Sequence, residues 1–158
     1  MEAELHREYW GVTIRWSDRE EGTSVSSTHP ISKKVILCVD DDAAILQYEK
    51  TLLEMSGYAV LAVSSGKHAL ALATTCELDA VLLDYEMRGM SGQQIAFEIK
   101  CAKPRLAIIL ISGGDVPVDV LTLVDVFILK IEASRTLLPM VANLCSRIPP
   151  PGTVAEIR

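Results

Sequence analysis

The stretch VILCVDDD, residues 35–42, is an apolar run that ends on three consecutive aspartates, and three later apolar runs end in a similar way. Residues 80–83 lead to Asp84, residues 107–111 to Ser112, and residues 126–129 to Lys130. Short apolar runs separated by helix-like segments predict strands of a parallel sheet that is buried on both faces. Ligands of such sheets bind beyond the carboxyl ends of the strands. We therefore expect these polar side chains to converge on one edge of the sheet.

The composition favours a single cytoplasmic domain with extensions. The chain has 158 residues, 49% of them hydrophobic and 5% aromatic, and a net charge of −6, which argues against direct binding to nucleic acid or to an anionic membrane surface. The N-terminus carries charged residues where a signal peptide needs an apolar stretch, and no run approaches the ~18 apolar residues of a membrane span. The four cysteines are far apart and are expected to be free, buried thiols.

The chain divides into three parts by composition. Residues 1–32 are expected to be a flexible extension and linker, with one short strand over residues 9–16 followed by a serine-rich stretch. Residues 33–147 alternate between strand and helix patterns. Residues 148–158 begin with three prolines and are expected to be a tail, too short for a DNA-binding or catalytic output domain.

Five strands and five helices are predicted in the central part. Strands cover residues 35–39, 59–63, 80–84, 107–111 and 126–129. Helices cover residues 43–56, 66–74, 93–102 and 134–147, and only a turn or two of a fourth helix fits between residues 112 and 126. Asp42 is placed to cap the first helix, Gly57 to end it, and Pro139 is expected near the first turn of the last.

Adjacent acids at a strand end predict a metal site, because buried like charges oppose each other's ionisation and a divalent cation offsets them. Magnesium prefers oxygen ligands, and two or three carboxylates suit it. A simpler interpretation is that one aspartate of the triplet caps the following helix while the others are solvated. For Asp84, Ser112 and Lys130 taken singly, a turn residue or a solvated charge is the simpler interpretation. The recurrence of such residues at four strand ends favours a shared site.

With these motifs in this order, residues 33–147 resemble the receiver domain of bacterial two-component response regulators. The matching motifs are the VDDD acidic pocket, LLDYEM, the serine of LISGG, and FILK with its strand-ending lysine. The resemblance implies a flavodoxin-like, doubly wound (βα)5 fold, a three-layer sandwich whose parallel sheet has the order 2-1-3-4-5. It also implies a protein that catalyses only its own aspartyl phosphorylation and dephosphorylation.

The resemblance assigns roles to individual residues. Asp84 would accept a phosphoryl group from a sensor histidine kinase or a phosphotransfer protein. Asp40, Asp41, Asp84 and the backbone carbonyl of Glu86 would hold Mg²⁺ or Mn²⁺, with Asp40 acting largely through water. Ser112 and Lys130 would bind the phosphoryl oxygens, and Ser112 and Phe127 would act as switch residues. Phe127 also fits the plainer role of a core side chain on a strand.

The sequence departs from the family pattern at three places. Ile131 follows the lysine where the family has proline in a cis bond, so we expect a trans bond, because cis bonds before other residues cost ~2.5–4 kcal/mol. Arg88 stands where proline is common. The interval from Ser112 to Lys130 is short, so the fourth helix, part of the family's usual output surface, is expected to be truncated. Because the tail over residues 148–158 is too short for an output domain, we expect a stand-alone receiver that docks to a partner or passes phosphate along a relay.

Two alternatives remain open from the sequence. A pseudo-receiver would bind partners without phosphorylation. A haloacid-dehalogenase-like phosphatase would use a D-x-D motif, which Asp40 and Asp42 match, but Ala43 and Ala44 replace the usual Gly-Thr. Turnover of a phosphate monoester would favour the phosphatase, whereas a single stoichiometric phosphate that is stable in acid and labile in base would favour the receiver.

Overall fold

A computed structural model describes residues 33–147 and the two short strands Glu8–Tyr9 and Val12–Thr13. The chain forms two units, Met1–Ile31 and Ser32–Arg158. In the first unit the two short strands pair antiparallel, Tyr9 opposite Val12. The prediction of one strand over residues 9–16 is wrong here, because the chain reverses and these segments pair with each other. The predictions of a flexible linker and a C-terminal tail lie outside the described residues.

The second unit is built on a parallel sheet of five strands. These are β1 (Val35–Val39), β2 (Ala59–Val63), β3 (Ala80–Asp84), β4 (Ala107–Ser112) and β5 (Val126–Leu129). Their order is β2-β1-β3-β4-β5, and every neighbouring pair is parallel. The predicted doubly wound sheet of order 2-1-3-4-5 is confirmed.

Helices connect the strands close to the predicted boundaries. They are α1 (Ala43–Met55), α2 (Gly66–Thr75), α3 (Gly92–Ala102), α4 (Val118–Leu121) and α5 (Ala133–Arg147). The predicted truncation of the fourth helix is confirmed, since α4 has only 4 residues. A 3-10 turn, Lys130–Glu132, leads into α5 and starts the helical path early. Pro139 is the seventh residue of α5, past its first turn, where its missing N–H removes a helical hydrogen bond, so the prediction of a position near the first turn is wrong.

Two apolar clusters cover the two faces of the sheet. One joins alternate residues of the strands, such as Ile36 and Leu82, to Leu53 of α1 and Leu137 of α5. The other joins the intervening residues to the side chains of α2, α3 and α4, for example Ile95. Because side chains alternate across a strand, a strand buried on both faces must be apolar throughout, as β3 is up to Asp84. This gives the three-layer arrangement of helices, sheet and helices.

Two further expectations from composition can be compared with the described residues. No helix among them is long and apolar enough to cross a membrane. All four cysteines are free, and Cys38 and Cys145 are buried, but Cys76 is half-buried and Cys101 is exposed on α3. The expectation that all four thiols are buried is therefore wrong, because Cys101 falls on the solvent face of its helix.

Candidate functional site

Three carboxylates meet at the carboxyl edge of the sheet. Asp40 and Asp41 follow β1, and Asp84 ends β3, the strand that pairs with β1. One carboxylate oxygen from each of the three lies within 4.8 Å of the others. The sequence therefore correctly predicted that these residues come together, because neighbouring parallel strands end at the same edge.

Of the three consecutive aspartates, Asp42 caps helix α1, whereas Asp40 and Asp41 belong to the carboxylate cluster. The Asp42 side chain caps α1 by accepting hydrogen bonds from the backbone N–H groups of Ala44 (2.8 Å) and Ile45 (3.2 Å). Asp40 is only 1% exposed, and its Oδ1 accepts the Asp42 N–H at 2.7 Å. Burial raises the pKa of Asp40, this hydrogen bond lowers it, and the nearby Asp84 raises it again. One aspartate is therefore a helix cap, as the simpler interpretation held, but Asp40 is not solvated.

Asp84 is 3% exposed and its Oδ1 is fully buried. The Lys130 ammonium lies 3.0 Å from this oxygen, yet no donor forms a well-aligned hydrogen bond to it within the described part of the chain. The contact with Lys130 is thus an ion pair rather than an aligned hydrogen bond. A buried carboxylate oxygen that is only partly satisfied is costly in a purely structural residue, and it is available to a ligand.

Lys130 points into the carboxylate cluster. Its Nζ also lies 4.0 Å from Asp40 Oδ2 and 3.9 Å from Glu86 Oε2. Burial opposes the lysine charge, but Asp84, Asp40 and Glu86 outweigh it and raise the pKa of Lys130. No described peptide bond is cis, so the expected trans bond between Lys130 and Ile131 is confirmed. Ile131, the middle residue of the 3-10 turn that begins at Lys130, is exposed.

The other predicted site residues lie around this cluster in different ways. Ser112 is buried at the end of β4, and its Oγ accepts the Gly114 N–H at 3.1 Å. The Glu86 side chain accepts the Gly113 N–H at 3.3 Å, a contact that the sequence analysis, which considered only the backbone carbonyl of Glu86, did not predict. Phe127 is half-buried in β5 and packs with the α2–α3 side of the core.

Arg88 is a site residue that the sequence analysis missed. Its backbone N–H and its Nε both donate to Asp41 Oδ2, at 3.0 and 2.8 Å. These hydrogen bonds lower the pKa of Asp41, so this carboxylate stays ionised. The available signal was the absence of proline at this position, because only a residue with a backbone N–H can make the first contact.

Glu49 is a second charged residue that the sequence analysis missed. It lies on the buried face of α1 with Leu53, is 5% exposed, and lines a cavity of about 220 Å³ together with Lys130. Burial, with contributions from Asp40 and Asp84, raises the pKa of Glu49 to about 8. The signal was its position four residues before Leu53, on the helix face that the apolar pattern directs inward.

Comparison with known proteins agrees with this geometry. Residues 36–140 match the sequence profile of the response regulator receiver domain. The chain therefore belongs to the response regulator receiver family. It shares 42% identity over 83 residues with the sensor histidine kinase GacS of Pseudomonas protegens, a match covering 52% of this chain and 9% of that protein. It shares 31% identity over 86 residues with the regulatory protein PhoP of Bacillus subtilis, covering 54% of this chain and 36% of that protein.

The match to solved structures of similar fold extends over nearly the whole length of those structures. A CheY-like receiver domain protein from Methanospirillum hungatei has a TM-score of 0.68 and 26% identity, covering 73% of this chain and 96% of that one. The response regulator TrrA of Thermotoga maritima, solved in complex with Mg²⁺-BeF, has a TM-score of 0.67 and 32% identity, covering 70% of this chain and 98% of that one. The chain thus matches complete receiver domains but only part of the curated relatives.

Proposed function

We propose that this protein is a phosphoacceptor of a two-component relay, in which Asp84 accepts a phosphoryl group from a sensor histidine kinase or a phosphotransfer protein. The observation that carries the proposal is the environment of Asp84. Its buried Oδ1 has no aligned hydrogen bond and lies next to an ammonium and two further carboxylates. A carboxylate that forms a covalent phosphoryl intermediate needs this combination of an available oxygen and nearby positive charge.

The residues present fit a divalent cation. Asp40, Asp41 and Asp84 are hard oxygen donors within 4.8 Å of one another, and the buried Oδ1 of Asp84 is only partly satisfied, by the Lys130 ammonium. The three carboxylates and Glu86 carry a formal charge of −4, against which Lys130 and Arg88 supply only two positive charges. Asp40, Asp41 and Asp84, with the Glu86 carbonyl as a fourth donor, would hold Mg²⁺ or Mn²⁺. When bound, the cation supplies charge neutralisation for the incoming phosphoryl group.

The protein's own groups then perform positioning and charge stabilisation, which is most of what phosphoryl transfer requires. Lys130 keeps its ammonium 3.0 Å from the acceptor carboxylate, where it can bind phosphoryl oxygens. The Ser112 hydroxyl accepts a bond from Gly114, so its own proton remains available to a phosphoryl oxygen. Reorientation of Ser112 and Phe127 would communicate phosphorylation to the surface. The partner would then dock at a surface that differs from the usual one, since α4 is short.

The test is uptake of one phosphoryl group from acetyl phosphate with Mg²⁺, followed by intact mass spectrometry. We expect the wild type to gain one acid-stable, base-labile phosphoryl group and Asp84→Asn to gain none. Asp115→Asn is the matched control, because Asp115 is an exposed aspartate just beyond β4 at the same edge of the sheet. Uptake by Asp84→Asn would overturn the assignment of the acceptor.

The pseudo-receiver is the second candidate function. It was suggested by Ile131, which replaces the proline that normally orients the lysine, and it would be favoured by a lysine directed to solvent. In this chain the Lys130 ammonium instead contacts Asp84. Absence of phosphate uptake by the wild type, with the protein folded, would nevertheless favour the pseudo-receiver. Continuous release of phosphate from a monoester would favour the phosphatase, for which Asp42 is poorly placed because it caps α1.

A further inference from the structure

The contact between Arg88 and Asp41 joins two loops that are 47 residues apart in sequence. Two donors of Arg88, the backbone N–H and Nε, reach the same oxygen, Asp41 Oδ2. A terminal nitrogen of the guanidinium is also 3.5 Å from the Asp41 backbone carbonyl. Within the described part of the chain, Asp41 Oδ1 accepts no hydrogen bond. Asp41 therefore has one carboxylate oxygen that is hydrogen-bonded to Arg88 and one that accepts no hydrogen bond from the described residues.

The two donors of Arg88 have different consequences for a cation at the cluster. The backbone N–H fixes the orientation of Asp41 and carries no net charge. The guanidinium is a full positive charge 2.8 Å from Asp41 Oδ2, and it competes electrostatically with any other cation that this carboxylate holds. The Arg88 side chain is 87% exposed, so it can move away from Asp41 without disturbing the fold, whereas the Lys130 side chain is 29% exposed.

We infer that the Arg88 guanidinium is a counter-ion of the carboxylate cluster formed by Asp40, Asp41 and Asp84, and that it sets the affinity of this site for Mg²⁺. The inference rests on the proposed function, because it assumes that Asp41 is a metal ligand. The guanidinium lowers the affinity, and the backbone N–H keeps Asp41 oriented for binding.

Titration calorimetry with MgCl₂ on the full chain tests this directly. Arg88→Ala removes the guanidinium but keeps the N–H bond to Asp41, so it should bind Mg²⁺ about three- to tenfold more tightly at low salt. Arg88→Lys restores a positive charge and should return the affinity towards that of the wild type. The difference in Mg²⁺ affinity between Arg88→Ala and wild type should become smaller in 0.5 M salt. At this ionic strength the Debye length is about 4–5 Å, so the exposed charge of Arg88 is screened.

Arg105→Ala is the matched control, since Arg105 is an exposed arginine just before β4, at the opposite end of the sheet. It should leave the Mg²⁺ affinity unchanged, and circular dichroism should show all variants folded. Equal or weaker binding by Arg88→Ala, or binding by Arg88→Lys as tight as by Arg88→Ala, would overturn the inference while leaving the metal site intact. Absence of Mg²⁺ binding by every variant would instead overturn the proposed metal site and the inference with it.

Discussion

Replacement of Glu49 by glutamine should make the protein more stable, by an amount that grows with pH. The carboxyl is 5% exposed on the core-facing side of α1, and its pKa is raised to about 8 from an ordinary 4.5. The folded state therefore holds a proton that the unfolded state releases above pH 4.5. Wild-type stability falls as pH rises through this window, whereas glutamine, which mimics the protonated acid, has no proton to lose.

The size of the stability difference follows from the pH range between the unfolded and folded pKa values of Glu49. Each pH unit between about 4.5 and 8 costs the wild type about 1.4 kcal/mol. Glu49→Gln should therefore match the wild type near pH 4, exceed it by about 3 kcal/mol at pH 7, and exceed it by at most about 5 kcal/mol at pH 8. The cavity beside Glu49 leaves room for water to solvate the carboxylate, so these values are upper limits. A domain of this size is stable by only about 5–15 kcal/mol, so the effect is large.

Urea unfolding followed by far-ultraviolet circular dichroism, at pH 4, 5, 6, 7 and 8, measures the difference. Glu54→Gln is the matched control, the same chemical change at an exposed position on the same helix. The series ends at pH 8, because burial raises the pKa of the Cys38 and Cys145 thiols above that of ordinary thiols, and at higher pH their ionisation in the unfolded state would add a second pH dependence. A difference between Glu49→Gln and wild type that is constant from pH 4 to 8 would refute the reasoning.

Three further outcomes are expected. Gly92→Ala should destabilise the fold by about 1–3 kcal/mol in urea unfolding, because its Cβ would lie 2.5 Å from the Asp84 backbone oxygen, whereas Gly114→Ala meets no atom within 4 Å and should be nearly neutral. Lys130→Ala should lower the free energy of unfolding at pH 7 by about 2 kcal/mol, and adding Asp84→Asn should recover part of it. Equal stability of that single and double variant would argue against the ion pair, and Ile131→Pro should change phosphate uptake only modestly.

The sequence by itself determined the sheet and the convergence at its edge. Unbroken apolar runs can be satisfied only by strands buried on both faces, and consecutive parallel strands must end at one edge. For this reason Asp40, Asp84 and Lys130 could be grouped although they are far apart in the chain. The cap at Asp42 was predictable too, since it needs only local backbone N–H groups.

Only the tertiary structure decided which partner each charged group takes. The contact of Arg88 with Asp41 depends on how two loops approach each other, and no sequence period encodes that distance. The burial of Glu49 depends on α1 packing against the sheet on the same face as α5, because an isolated helix would leave this carboxyl in water. Lys130, the first residue of the 3-10 turn after β5, contacts Asp84 only in the folded chain. Strand and helix patterns follow from local periodicity, whereas charge pairing follows from side-chain distances that exist only once the layers have packed.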